Sequence, residues 1–430
     1  MTNRLKSSVL IILAILGLAY PVYAWWQNAY LAELLWPDTM YEIARVLSLL
    51  GFVMMFYQFA LSSRSKLLES SLGLDRLISL HRSSGIWTLG LLLLHGVALF
   101  TYDLVIGSLS LSFGKALGVF ALLLLIVVSA AAIFWKSFRW RYETWKRIHY
   151  ATYVILPLGF VHALLLGTTV SFSPGLRTYF IALSALYVAI VLTRVVKRIA
   201  VRRNPHVVAE VVQENHDITS LYFDGPEITY APGQFMTVNI QAGRGYSESH
   251  PYTISSSPTD GRLRISAKAI GDFSKNVASV RPGTMALIEA PYGVFSYTSV
   301  QVDELVFIVG GIGITPFLSQ LKHMRATGAK KQVTMIWGNK TKKDICFTEE
   351  LAAAEAELPE FKLVHVLSDE KWEGETGFVT ADLIRKYVSN VEKPHFFLCG
   401  PPVMMEKVFG ALSNLGVSNK QMHYERFALG

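Results

Sequence analysis

Two stretches, HRSSGIWTLGLLLLH (residues 81–95) and HYATYVILPLGFVH (residues 149–162), are largely apolar and are each bounded by histidines. Both lie inside runs long enough to cross a bilayer, for which about 20 mostly apolar residues are needed. As helices, they carry their histidines about 20 Å apart at about 1.5 Å of rise per residue. Ionisable residues inside such spans are rare and usually functional. These two stretches set the frame for the rest of the chain.

Working outward, six apolar spans are expected at about residues 8–26, 41–61, 81–102, 114–135, 149–167 and 178–199. The first resembles a signal peptide in position. Its apolar core continues through Tyr20 to Trp26 without a small-residue cleavage site, which favours a retained helix. The connecting segments alternate in charge. Arg4, Lys6, Arg64, Lys66, Arg76, Arg82, Lys136, Arg139, Arg141, Lys146, Arg147, Arg194, Lys197, Arg198, Arg202 and Arg203 fall on one side. The other side has Arg45, Lys115 and Arg177 at helix rims. The positive-inside rule then makes the first side, both termini and everything after residue 200 cytoplasmic, with six spans in the cell (inner) membrane.

The charge totals agree. The chain has 430 residues, is 52% hydrophobic and 17% charged, and carries a net charge of +8. Residues 1–203 hold 19 Lys+Arg against 7 Asp+Glu, and residues 204–430 hold 21 against 25. The basic excess therefore lies between apolar runs. It is not a patch on a polar domain, which excludes a nucleic-acid footprint. The hydrophobicity excludes disorder. Cys346 and Cys399 are the only cysteines, too few for a disulfide framework or a zinc cluster.

His81 and His149 fall near the cytoplasmic side, His95 and His162 near the outer side. Two parallel spans thus present two stacked His/His pairs. Each pair reads as the two axial ligands of a haem iron; the competing reading is one interhelical hydrogen bond per histidine. Fourteen residues return to nearly the same helix face, but the thirteen from His149 to His162 fall short by over a third of a turn. Pro157 is the expected place for a compensating rewinding. Gly85, Gly96 and Gly159 leave room either for a flat macrocycle or for close helix packing. Arg82, Arg147, Arg45 and Arg177 are candidates for pairing with propionates, the inner two being equally well read as positive-inside anchors.

After residue 203, short alternating runs (VVAEVV, SLYF, FMTVNI, LRISAKAI, MALIEA) suggest a small antiparallel barrel. From residue 304, apolar strands alternate with helical stretches, the pattern of a parallel sheet with crossover helices. The expected division is 1–203, 204–300 and 301–430. Gly310-Gly311-Ile312-Gly313-Ile314-Thr315-Pro316 closes the first of these strands before a helix. A glycine-rich turn there lets backbone N–H groups approach a pyrophosphate, and a plain tight turn is the alternative.

In combination these motifs resemble the transmembrane ferric reductase and NADPH oxidase superfamily, from about residue 40 to 427. The resemblance implies a six-helix transmembrane bundle holding two b-type haems, followed by an FAD-binding β-barrel and an α/β NAD(P)H-binding domain. His81, His95, His149 and His162 match the haem ligands. His250-Pro251-Tyr252-Thr253 resembles the flavin motif, whose aromatic and Thr contact the isoalloxazine. Lys268 and Gly271-Asp272-Phe273-Ser274 resemble the segment holding the flavin pyrophosphate. Ala290-Pro291-Tyr292-Gly293 resembles a conserved-type family turn, and the Gly310–Pro316 loop matches the dinucleotide loop. Cys399-Gly400-Pro401-Pro402 resembles the motif that places a cysteine by the nicotinamide. Glu425-Arg426-Phe427 resembles the terminal aromatic that covers the flavin, although three residues follow Phe427 here. Lys340 stands where many NADPH users place an arginine for the 2′-phosphate, so NADPH and NADH both remain open.

The implied function moves electrons from cytoplasmic NAD(P)H through FAD, the inner haem (His81/His149) and the outer haem (His95/His162) to an outer acceptor. Short outer loops suit a small acceptor, molecular oxygen or a ferric chelate. Cys399 and Phe427 would line the redox centre. Membrane lipid is the other expected contact; no protein partner is indicated. With no calcium-binding loop or proline-rich tail in the sequence, turnover without an activator is expected. The alternative reading is a six-helix transporter or channel gated by a nucleotide-binding module; broken helices and internal repeats typical of transporters are not clear in the sequence.

Overall fold

The computed structural model describes residues 3–29, 36–140 and 142–425, with the backbone alone for Asn3, Arg4, Asp75 and Tyr142. The chain divides into two compact units, Met1–Lys197 and Arg198–Gly430.

The first unit is helical: α1 (Asn3–Asn28), α2 (Asp38–Ser62), α3 (Lys66–Leu72), α4 (Leu74–Val105), α5 (Phe113–Phe134), α6 (Tyr142–His149), α7 (Thr152–Leu166), α8 (Thr168–Phe172) and α9 (Pro174–Arg203). Among the described residues six stretches are long and apolar enough to cross a membrane: Leu5–Asn28, Asp38–Ser62, Arg76–Val105, Phe113–Phe134, Glu143–Leu166 and Pro174–Arg203. Helices are the solution such sequences find, because each satisfies its own backbone polar groups without water. Small residues bring them together. A Cβ on Gly51 would lie 2.5 Å from Leu92 Cδ2, so α2 and α4 pack at close range, as small residues permit in lipid. Phe52 stacks on Phe180 at 4.2 Å in the middle of the bundle. The first helix is a packed member: Tyr57 donates to Ala14 O at 2.8 Å and Tyr179 to Gly17 O at 2.9 Å.

The fifth span breaks between α6 and α7, at Tyr150–Ala151, one to two turns before Pro157. There Ala151 N donates to Ile148 O, Tyr153 N to Tyr150 O and Val154 N to Ala151 O, a tight i→i+3 pattern. Such winding advances about 20° more per residue than an α-helix, and across 148–154 this supplies about the third of a turn that thirteen residues lack. The expected rewinding is therefore present, but upstream of the proline. The reason is local: Pro157 has no N–H for Tyr153 O, and the Tyr187 hydroxyl donates to that carbonyl at 2.6 Å instead.

The second unit opens with β1 (His206–Gln213), β2 (Ile218–Asp224), β3 (Phe235–Ala242), β4 (Gly245–Tyr246), β5 (His250–Thr253), β6 (Leu263–Lys268), the short α10 (Asp272–Lys275) and β7 (Met285–Tyr292). The strands are antiparallel in the order β4-β3-β7-β1-β2-β6, with β5 pairing the same edge of β3 as β4, opposite β7. Ser255 N donates to Arg264 O at 2.8 Å, which joins the chain after β5 to β6 and draws the sheet toward a barrel. The inward alternation of Val208, Leu221, Phe223, Met236, Val238 and Ile265 fills it.

There follow β8 (Glu304–Gly310), α11 (Thr315–Thr327), β9 (Gln332–Asn339), α12 (Thr348–Glu357), β10 (Phe361–Leu367), β11 (Glu375–Thr376), α13 (Ala381–Tyr387), β12 (His395–Cys399), α14 (Pro402–Asn414) and β13 (Met422–Glu425). All pair in parallel, ordered β11-β10-β9-β8-β12-β13. Six of the seven residues of β8 are buried, as both faces of a covered parallel sheet require. The order reverses beside β8, and ligands bind such sheets at this switch point.

One buried cation ties the two lobes of this unit. The Arg264 guanidinium, 3% exposed, reaches both carboxylate oxygens of Glu350 at 2.5 and 3.0 Å and lies over the Phe347 ring. Removing one partner of a buried pair strands the other, so Glu350→Ala is expected to destabilise the unit by about 3 kcal/mol. Thermal unfolding of the full chain, followed by loss of the reductase fold, checks this.

His395 and His423 share a hydrogen bond, Nδ1 to Nε2, at 2.8 Å. Burial holds both rings below the usual imidazole range, His423 at about 4. The unfolded chain takes up these protons near pH 6.5 while the folded chain refuses them. The pair's contribution is therefore full above about pH 6.5 and is lost as pH falls toward 4. A pH series of unfolding midpoints should show this slope, and His423→Asn should flatten it.

Candidate functional site

The four intramembrane histidines form two facing pairs. The rings of His81 and His149 have centres 6.2 Å apart and planes at 71°. Those of His95 and His162 are 6.3 Å apart at 77°. Direct hydrogen bonding between the rings would need ring nitrogens about 2.9 Å apart, end to end. A metal bonded at about 2 Å to one nitrogen of each ring, each nitrogen about 1.2 Å from its ring centre, puts the centres about 6.4 Å apart. The spacing of both pairs fits a bis-imidazole iron.

Backbone carbonyls fix three of these rings. His81 Nδ1 faces Gln58 O at 3.2 Å, and His95 Nδ1 faces Ala44 O at 2.9 Å. Both acceptors lie on α2, spaced as the histidines are on α4. His162 Nδ1 faces Gly114 O on α5 at 2.8 Å. A carbonyl only accepts, so Nδ1 carries the proton and Nε2 keeps the lone pair a metal needs. The His162 ring also fills the space left by Gly118, where a Cβ would lie 2.6 Å from its Cε1 and Nδ1. None of Ala44, Gln58, Gly114 and Gly118 carried a sequence signal, because each acts through its backbone or its lack of a side chain. The three glycines that did attract attention face side chains instead. A Cβ on Gly96 would meet Leu122 at 2.9 Å, on Gly159 Met55 at 3.2 Å, and on Gly85 Gln58 at 3.5 Å. They serve helix packing.

At the rims, Arg45 bonds Glu42 at 2.6 Å and Thr169, and Lys115 bonds Asp103 at 2.5 Å. Arg177 donates to the carbonyls of Val170 and Ser171. Arg45 thus has a protein carboxylate where a propionate partner was expected.

In the second unit, β5 sets out His250, Pro251, Tyr252 and Thr253 against β3. His250 stacks on Phe273 at 4.0 Å, and Tyr252 lies 6.2 Å from the same ring. Burial pushes the Tyr252 hydroxyl up to about 12, so it stays protonated. Thr253 Oγ1 is buried without a partner among the described residues, a donor and acceptor awaiting a ligand. Ser274 Oγ accepts from the N–H groups of Ile270 and Gly271, which locks the Gly271–Ser274 turn. Beside it, a groove of about 500 Å³ is lined by residues that include Ser274, Lys275 and Asp217.

The βα turn after β8 is jammed against the end of β12. A Cβ on Gly313 would sit 2.4 Å from Cys399 O, and one on Gly310 would sit 2.7 Å from Pro401 Cδ. These two glycines are needed for chain-on-chain approach. Gly311, with φ of +50°, has open space on its Cβ side. Gly400 backs onto Gly310 at 3.0 Å. Cys399 is fully buried, and burial, with the Glu425 carboxylate beside it, raises its thiol well above the usual range. The thiol is thereby held in its protonated form. Thr315 donates back to Ile312 O, and Pro316 starts the following helix. At the end of β9, both amide atoms of Asn339 are buried without partners among the described residues. The neighbouring Lys340 side chain is exposed.

Comparison with known proteins finds three family matches along the chain. The family described as ferric reductase like transmembrane component matches residues 47–160. An FAD-binding domain matches 203–296, and an oxidoreductase NAD-binding domain matches 307–409. The chain has the ferric reductase/NADPH oxidase-like architecture.

Its reductase half is similar to the ferredoxin reductase component of 3-ketosteroid-9-alpha-monooxygenase from Rhodococcus rhodochrous, 33% identical over 51% of this chain and 64% of that one. It is also similar to flavohemoprotein A of Dictyostelium discoideum, 28% identical over 51% of this chain and 59% of that one. The chain thus spans under two-thirds of the length of these relatives. Among solved structures, the FAD/NAD-binding domain of nitric oxide dioxygenase from Vibrio cholerae O1 biovar El Tor is 25% identical, with a TM-score of 0.47, covering 52% of this chain and 97% of that one. The matches give the second unit an FAD-binding domain and an oxidoreductase NAD-binding domain, which support FAD and NAD(P)H as cofactors.

Within this ferric reductase-like frame the sequence-expected residues of the second unit fall in two groups. His250, Tyr252, Thr253 and the Gly271–Ser274 turn lie together on the barrel, and Gly310, Gly311, Gly313, Cys399, Gly400 and Pro401 meet at the switch point. Lys268 differs from expectation. Its ammonium bridges Asp217 at 3.2 Å and Asp344 at 3.6 Å, since two carboxylates flank the end of β6. Phe427 lies outside the described residues.

Proposed function

We propose that this transmembrane oxidoreductase carries electrons from cytoplasmic NAD(P)H, through FAD and two b-type haems, to a small acceptor on the outer side of the membrane. The observation that carries this reading is the matched geometry of the two histidine pairs, with ring centres 6.2 and 6.3 Å apart. His81 and His149 would hold the inner haem, and His95 and His162 the outer one. Bound haem supplies one-electron redox chemistry at fixed depths in a hydrocarbon layer about 30 Å thick. FAD supplies the exchange between two-electron and one-electron carriers.

The chain's own residues bind, orient and exclude. The carbonyls of Gln58, Ala44 and Gly114 fix the tautomer of three ligands. Tyr252 and Thr253 would contact the flavin ring, and the unpartnered Thr253 hydroxyl could offer it a hydrogen bond. His250, Lys275 and the Gly271–Ser274 turn would face its phosphates. Gly311 and Asn339 would receive the dinucleotide at the switch point, with Lys340 as the point charge for a 2′-phosphate. Neutral Cys399 would wall the nicotinamide end and keep it dry. The excess of Lys and Arg on one set of loops supports a cytoplasmic reductase.

Arg45 and Lys115 at the outer rim are neutralised by Glu42 and Asp103. Arg177, which bonds the carbonyls of Val170 and Ser171, is the one of the three rim cations left unneutralised among the described residues, so the pull on an anionic chelate is small and neutral oxygen is favoured as acceptor. The test is NADPH-driven cytochrome c reduction sensitive to superoxide dismutase, beside ferric-chelate reduction without oxygen. Superoxide formation by cofactor-loaded protein is expected. Chelate reduction alone would reassign the acceptor, and neither activity would sink the outer-acceptor reading.

A further inference from the structure

Three of the four histidines are held by a carbonyl, and the fourth is held differently. Among the described residues no group bonds His149 Nδ1, although the atom is buried. Instead the Trp145 ring, one turn earlier on α6, stacks on His149 at 5.3 Å and 28°. Trp145 in turn stacks on Trp135 at 5.9 Å and 28°. Trp135 caps the inner end of α5. At that end Trp135 N bonds Ala131 O and Phe138 N bonds Phe134 O. The same helix therefore serves both histidines of the fifth span, by Gly114 O at its outer end and by an aromatic stack at its inner end.

We infer that Trp145 is a positioning residue that orients His149 by stacking in place of a hydrogen bond, making the inner pair the more easily opened of the two. The inference rests on the haem reading above. An imidazole without an Nδ1 acceptor is a weaker, less oriented ligand, and the indole face is the ring stacked against it among the described residues. The outer pair has both rings hydrogen-bonded.

The test uses the full-length, haem-loaded protein, reduced with dithionite and exposed to carbon monoxide, which binds only where an axial histidine has let go. Wild type should take up little. Trp145→Leu removes the stack, and its carbon monoxide-reactive fraction should rise to about half of the haem, one site of the two, given what loss of an orienting partner does to a ligand. Trp145→Phe restores a stacking ring and should return to the wild-type level. Carbon monoxide binding by Trp145→Leu no greater than wild type, with both haems retained, would overturn the inference. So would equal loss of both haems in the two variants, which would mark a general packing role. Wild-type protein that binds no haem would instead defeat the underlying reading.

Discussion

His162→Ala is expected to lower the haem content from two to one per chain and to reduce NADPH-driven turnover of the outer acceptor by about 100-fold or more. Loss of a single orienting partner already costs about 10–100-fold at metal sites, and here the ligand itself goes. Reduction of a soluble dye by NADPH should be unchanged, since the FAD and nucleotide residues lie in the other unit. A control comes from Gly118. The Cβ of Gly118→Ala would lie 2.6 Å from the His162 ring. His162 is held between that glycine and Gly114 O, so the ring cannot shift without leaving its hydrogen bond. Gly118→Ala should therefore reproduce the loss of one haem without touching a ligand. Two haems in both variants, by pyridine haemochrome, would remove His162 from the site.

Gly313→Ala is the second large effect, and it belongs to the other unit. The added methyl would sit 2.4 Å from Cys399 O and 2.9 Å from Gly400 N. Both are backbone atoms at the ends of buried parallel strands, so neither can move like a flexible side chain. Overpacking of this kind costs about 1–3 kcal/mol. The strain falls between the dinucleotide turn and the Cys399 loop, the two sides of the switch point. NADPH-dependent flavin reduction should fall by at least about tenfold for each 1.4 kcal/mol of strain felt at the bound state. FAD content and dithionite-reduced haem spectra should stay as in wild type. Gly311→Ala is the contrast: its Cβ side is open, and only the φ of +50° resists. Equal kinetics for Gly313→Ala and wild type would show that the close approach is not needed for the nucleotide site.

The membrane unit was largely legible because lipid leaves a chain few options. Runs of about 20 apolar residues must be helices, and His81, His95, His149 and His162 announced themselves by lying inside them. The parallel sheet was legible for a similar reason, since VFIVG and TMIWG are buried on both faces. The supports of the site were not legible. Ala44 and Gly114 act through carbonyls, Gly118 through an absent side chain, and Trp145 through an approach that only the folded bundle creates. The break at Tyr150–Ala151 was hidden because nothing in its own residues marks it and Pro157 stands inside the helix that follows. In the reductase, Gly310 and Gly313 looked like a phosphate cradle, but the Pro401 ring and the Cys399 backbone claim the space on their Cβ sides. Lys268 looked like a phosphate ligand until Asp217 and Asp344 arrived beside it. Asn339 gave no signal, since a buried amide at a strand end is visible only when its neighbours fail to bond it.

The central claim is that one chain joins NAD(P)H to two haems held by histidine pairs. Anaerobic titration of the purified, FAD- and haem-loaded protein with NADPH, followed at the b-type haem bands, tests it most directly. The expected result is reduction of both haems by NADPH to the level dithionite reaches, halved in His162→Ala. A protein without haem, or haems that dithionite reduces and NADPH leaves oxidised while the flavin is reduced, would contradict it.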